Sequence, residues 1–192
     1  MSKRAPVRSL ISTLLAEAAQ AEEAAAAHAG READRLGSAP PGISMRMIAQ
    51  HARRTIADLR PFARSRGAEH GAVAVESRLG RFLEGVRGLG VDMMMSSEKA
   101  YRGTLLGIHH SIVTMLLLED AAVAAGDQDL ADYCASWVSD RTELVTDAER
   151  DLAWFAANPE RALGRAMPPF VKRLQRAIPL PEVLREHAHH MA

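Results

Sequence analysis

Apolar positions keep a helical rhythm along most of this chain, most clearly between Ser96 and Ala157. Tyr101, Leu105, Ile108, Ile112, Met115, Glu119 and Ala122 recur at alternating steps of four and three. Leu130, Cys134, Trp137, Arg141, Leu144, Ala148 and Phe155 nearly repeat the pattern. Such spacing places each set on one face of a helix. Ser96 and Ser97 are natural N-terminal caps, Gly126 suits a helix end, Asp127 can cap the helix that follows, and Asn158-Pro159 stops it. The pattern predicts an antiparallel helix pair with a tight turn at 126–127.

Upstream, Val7, Ile11, Leu14, Ala18, Ala21 and Ala25 predict a helix from Arg8 to about Arg35. Leu36 to Gly42, with two prolines and two glycines, predicts a break. Ser44 then caps a second helix to about Arg66, with Met47, Ile48, Ala52, Ile56, Leu59 and Phe62 inward and a kink or early end at Pro61. Residues 67–95 are punctuated by glycine, yet Val75, Leu79, Phe82, Val86 and Leu89 keep the helical period. They predict a weaker, crossover helix, because an interior glycine weakens a helix. Beyond Pro159, the face made by Phe170, Val171, Leu174 and Ile178 predicts a short helical tail wrapped over the rest. The expected fold is all-α: a helical bundle over 1–158, with its crossover at 67–95, and a C-terminal tail over 159–192.

Composition adds limits. The 192 residues suffice for one domain with a core, and 47% hydrophobic with 25% charged residues is ordinary for a soluble globular chain. No uninterrupted apolar run approaches the roughly 20 residues of a membrane span, so no membrane partner is expected. The basic N-terminus runs at once into Glu17, Glu22 and Glu23 of an amphipathic helix, which argues against a signal peptide. The single Cys134 has no partner for an internal disulfide, and its apolar face predicts a buried thiol in a reducing, cytoplasmic compartment. Three lysines beside twenty-one arginines read as the bias of a GC-rich bacterial genome. Net charge is zero but uneven: residues 1–90 carry +5, 91–158 carry −8 and 159–192 carry +3. The acidic hairpin is expected to lie against the basic segments of its own chain; the second reading is a basic protein partner on 91–158. No basic stripe with interleaved aromatics exists, so no nucleic-acid partner is expected.

Two helices with a short loop, a long connection, then two more with a short loop resemble the ferritin-like superfamily, over roughly residues 8–157. The resemblance implies an up-down four-helix bundle with one long crossover. Members with a di-metal centre carry a Glu on each of two helices and Glu-x-x-His on each of the other two. The predicted bundle helices contain no Glu-x-x-His, and the second helix has no glutamate at all. At 1.5 Å of rise per residue, Glu22, Asp58, His109 and Glu143 nevertheless stand at one level, roughly 20 Å from the first loop. The plain reading leaves them solvated or in ordinary ion pairs. The sharper one makes them ligands of iron or manganese.

Other residues carry weaker signals. Glu119 and Arg141 fall on the apolar seams, where a charge needs a partner; either the seam is rotated and both reach solvent, or they join a buried cluster with Tyr101 and Glu98. At most one of His109 and His110 faces the core. His28 and His51 stand at similar distances from the first loop. Met93, Met94 and Met95 suit an irregular junction, and His187, His189 and His190 suit adventitious metal binding. Asp140, Glu143, Asp147 and Asp151 form an acidic helical stripe. No phosphate-cradling glycine loop and no nucleophile elbow is present, and Cys134 has no activating base at local spacing. The expected function is therefore non-catalytic: a ferritin-like bundle without its di-metal site or any cofactor, serving as a structural or interaction module. The alternative is a divergent metal-binding relative with a redox, storage or stress-protection role. The alanine-rich first helix predicts a homodimer, with Ala18, Ala21 and Ala25 at a seam within or between chains.

Overall fold

A computed structural model describes residues 4–66 and 95–166. Helix α1 spans Arg4–Leu36, α2 Pro40–Ser65, α3 Ser97–Ala125, α4 Gln128–Arg150, α5 Leu152–Ala157 and α6 Pro159–Leu163. The described residues are all-α: they contain no strand, only an isolated antiparallel bridge between Ser96 and Arg165. The sequence-predicted crossover, Met93-Met94, the tail beyond residue 166 and its three histidines lie outside the described residues.

The helix ends follow local chemistry. Gly126 takes the left-handed conformation (φ 73°) that glycine adopts without steric cost, and its N–H and that of Asp127 return to the last carbonyls of α3. Asp127 caps α4, accepting the Leu130 N–H at 3.4 Å. Ser96 occupies the N-cap position of α3 but makes no side-chain cap bond.

Two boundaries differ from the sequence reading, whereas α2 ends at Ser65, next to its expected end at about Arg66. The break between α1 and α2 is only residues 37–39, because Pro40 sits at the first helical position, where its missing N–H would have had no partner. Ser44 therefore lies inside α2, and its hydroxyl donates instead to Asp151 at 2.6 Å. Helix α2 runs through Pro61 to Ser65. The last long helix is interrupted at Asp151, so α5 is a separate short element before Asn158-Pro159.

Four long helices close a ring in which α1 packs on α2 and α3, and α4 packs on α3 and α2. One end gathers the start of α1, the end of α2 and the α3–α4 turn, tied by a salt bridge from Arg66 to Asp127 at 2.6 Å. The other end gathers the end of α1 and the start of α3, where Arg35 donates to the Ser97 carbonyl at 3.0 Å. Packed neighbours are thus antiparallel. The diagonal pairs, α1 with α4 and α2 with α3, are parallel. Residues 66 and 95 stand at opposite ends. The segment after α6 returns to the start of α3, where Ser97 N–H donates to the Gly164 carbonyl and Ala166 N–H to the Met95 carbonyl.

The core has two apolar halves. One is Leu-rich, with Leu14, Leu15, Leu59, Met115, Leu118 and Leu130 among its members. The other is Ala-rich along α1 and α2, with Ala25, Ala29, Ala33, Ala49 and Ala52 packed against Tyr101, Ile108 and Phe155. The α3 seam is buried as its spacing predicts at Tyr101, Leu105, Ile108, Met115 and Ala122. Ala18 and Ala25 are buried within the chain and Ala21 is half-buried. On α2, Met45 fills the core while Met47, expected inward, is 45% exposed. Helix α3 is also, by length and composition alone, apolar enough to cross a membrane, because its outer face carries leucine and valine as well.

Candidate functional site

Between the two halves, four polar residues turn inward, Glu22 from α1, Thr55 from α2, Ser111 from α3 and Arg141 from α4, and α3 also buries Thr114 one turn beyond Ser111. Each interrupts an apolar stripe. Glu22 stands between Ala18 and Ala25, Thr55 between Ala52 and Leu59, Ser111 between Ile108 and Met115, and Arg141 between Trp137 and Val145.

Glu22 and Arg141 are both 0% exposed, and Arg141 Nη2 donates to Glu22 Oε2. They come from the diagonal helices α1 and α4, so the pair crosses the centre of the core. The guanidinium also lies over the Trp137 ring, 4.8 Å from its centroid. The Trp137 indole N–H donates to Thr55 Oγ1 at 2.7 Å, and Thr55 donates in turn to the His51 carbonyl at 3.0 Å. Tyr133 Oη lies near the Thr55 hydroxyl without a hydrogen bond of good geometry. Glu22 Oε1, Arg141 Nε and Nη1, and His51 Nδ1 are buried without a protein partner.

Burial sets the electrostatics of this layer. Desolvation pushes the Glu22 carboxyl above its ordinary range, opposed by the adjacent Arg141 charge and by Ser111. Desolvation lowers the Arg141 guanidinium in turn, opposed by Glu22. His51 is held down to about 4, first by burial and then by the Arg141 and Arg54 charges, so it is neutral at pH 7. Next to the layer, between α2 and α4, a cleft of about 280 Å³ is lined by His51, Arg54, Asp58, Tyr133, Trp137 and Asp140, together with Thr55 and Ser136.

The four metal candidates read from the sequence are not gathered here. Glu22 alone reaches the core. Asp58 and Glu143 are exposed, and Asp58 is on the rim of the cleft. His109 lies on the outer face, with Nε2 2.9 Å from Glu149, and both side chains are about half exposed. Among the described residues, no three His, Cys, Asp or Glu side chains are grouped so as to hold a metal ion. In the tail, Glu186 and His189 do have Glu-x-x-His spacing, but they lie outside the described residues. Two or three residues of offset along a helix turn a side chain from the core to solvent.

Other expected groupings also resolve differently. Arg141 neither reaches solvent nor meets Glu119; its partner is Glu22. Glu98 pairs with Arg102, while the Tyr101 hydroxyl donates to the Ala148 carbonyl at 2.8 Å. His110 approaches Glu17 at 3.5 Å on the surface. His28 Nδ1 is 2.8 Å from Arg31, whereas His51 packs beside Trp137. Cys134 is buried, and burial raises its thiol to about 12.

Sequence reasoning did not single out Thr55, Ser111 or Tyr133. For Thr55 and Ser111 the signal was available: each is a polar residue inside the apolar stripe of its helix. Comparison with protein-family models, with curated proteins and with solved structures finds no match.

Proposed function

We propose that the chain is a ferritin-like four-helix bundle that acts without catalysis, as a structural or interaction module. The ring of antiparallel neighbours, with residues 66 and 95 at opposite ends, supports the bundle reading, since a long crossover between two hairpins is the connectivity of that class. The observation that carries the functional reading is the inward set of the central layer: one carboxylate, one guanidinium and two hydroxyls. A di-metal centre in such a bundle uses several carboxylates and imidazoles projecting inward. Here a guanidinium supplies the positive charge that neutralises the layer's carboxylate, Glu22, and a metal cation beside it would face a like charge in a poorly solvated core. The buried, protonated Cys134 fits a reducing compartment such as the cytoplasm.

The test is elemental analysis of protein purified without chelator from cells supplemented with iron and manganese. The expected result is metal far below one equivalent after dialysis. Near-stoichiometric metal that survives dialysis, and that is lost on Glu22→Gln, would overturn the reading in favour of a divergent metal-binding protein.

A further inference from the structure

The outer face of α3 is apolar where a solvated helix is normally polar. Leu106, Val113 and Leu117 are 71%, 63% and 48% exposed and recur at steps of seven and four, so they form one stripe. Leu10 of α1, 42% exposed, extends it: Glu17 meets His110 across the α1–α3 seam, and Leu10 and Leu117 each lie seven residues further along these antiparallel helices. On the edge of the stripe, a Cβ added at Gly103 or Gly107 would meet no atom within 4 Å. Glycine weakens a helix, yet no close contact among the described residues requires it at either position. Exposed apolar surface this continuous marks an interaction site.

We propose that this face is the surface on which two copies of the chain associate, their α3 helices antiparallel about Val113. Charge favours a second copy as the occupant. Exposed Lys99 and Arg102 lie near the start of α3, and Asp120 lies near its end. These signs oppose the helix dipole, although Arg102 also pairs with Glu98 one turn back within α3. In an antiparallel pair about residue 113, Arg102 stands within one turn of the partner's Asp120, and the same contact recurs by symmetry. A lipid surface fits less well. The opposite face of α3 packs on α1 and α4, and α4 carries exposed Asp129, Asp132, Asp140 and Glu143, which an inserted helix would drag toward the bilayer. The stripe from Leu106 to Leu117 is roughly 17 Å long and about 10 Å wide. That footprint is smaller than specific, stable interfaces usually bury, so the association is expected to be weak.

This inference deepens the interaction-module reading and moves the interface from the alanines of α1 to α3; metal content, which tests that reading, is measured independently. The experiment is sedimentation equilibrium of the full chain from about 5 to 500 µM. Wild type should form a dimer, and Val113→Glu, which sets two like charges at the symmetry axis, should weaken it at least about tenfold without changing the circular dichroism. Arg102→Glu and Asp120→Arg should each weaken it, and the double exchange should restore it. A wild-type monomer throughout, or a dimer indifferent to Val113→Glu, overturns the proposal. So does a monomer that binds anionic phospholipid vesicles through Val113, because the face would then belong to a membrane.

Discussion

The buried Glu22–Arg141 pair makes a quantitative prediction through the asymmetry between breaking a pair and replacing it. Arg141→Met removes the only charge facing Glu22 in the layer, and the carboxyl must then stay ionised without a partner or take up a proton. Glu22→Gln leaves the guanidinium fully buried with an amide in place of its counter-charge. Removing one partner of a buried pair typically costs about 3–5 kcal/mol, whereas replacing both by apolar groups is often neutral or stabilising by about 1–4 kcal/mol. At this chain length about 1 kcal/mol moves Tm by roughly 2–4 °C. Each single variant should therefore melt about 6–20 °C below wild type. Glu22→Leu with Arg141→Met together should melt at or above it. Urea unfolding followed by circular dichroism at constant m-value gives the double-mutant cycle directly. Single variants within about 1 kcal/mol of wild type, or a double variant that loses the sum of the two, would show that the pair is hydrated rather than closed in the core.

Three other outcomes follow from the same physics. Cys134 should be inert to a thiol reagent in the folded protein at pH 8, because its thiol is held near 12, and should react fully once denaturant unfolds the chain; rapid labelling of native protein would place it at the surface. His51, held near 4 against an ordinary 6.5, is neutral when folded, so its contribution to stability is complete above about pH 6.5 and is lost as pH falls toward 4. Tm should thus fall less between pH 7 and pH 4.5 in His51→Phe than in wild type, and parallel curves would refute this. Asp127 caps α4 and pairs with Arg66, whose hydrogen bond holds the carboxyl below its ordinary range; its contribution is present above about pH 4 and is lost as pH falls through the lowered value. Asp127→Ala should cost about 1 kcal/mol at pH 7 and less at pH 3, and an equal loss at both pH values would exclude the charged cap.

Much of this fold is written in spacing. Most of the set from Tyr101 to Ala122 and of that from Leu130 to Phe155 is buried where the four-and-three rhythm puts it, with Ile112, Glu119 and Leu144 partly buried, because a helix converts that rhythm into one face. Boundaries were less legible. Pro40 and Pro41 carry a break signal and a helix-start signal at once, and only the packing of Gly42, whose added Cβ would stand 2.6 Å from the Gly37 carbonyl, shows how tightly α2 folds back. Facing was the hardest to read. Arg141 and Glu22 both lie in the core, where sequence reading left open solvent or a buried cluster with Tyr101 and Glu98 for the one, and solvent, an ordinary ion pair or a metal for the other. Periodicity locates a residue on its own helix but says nothing of the diagonal helix across the core, and the partnership of residues 119 positions apart exists only after the ring closes.

The position of that pair bears on how the four long helices align. Apolar halves of similar width tolerate sliding, and the small alanines of α1 and α2 do little to fix register. A charge on α1 that must meet a charge on α4 selects one axial offset and one choice of diagonal helices, because a slip of one residue turns each side chain about 100° away from the other. Buried polar groups act as register devices in some helical assemblies. That role separates stability from specificity. If Glu22→Leu with Arg141→Met melts higher than wild type yet gives broadened, poorly dispersed amide resonances and binds a hydrophobic dye, the layer defines a single packing at a cost in stability. If the same variant keeps sharp, wild-type-like dispersion, alignment resides in the apolar packing and the capped turns, and the charged layer is not what fixes the register.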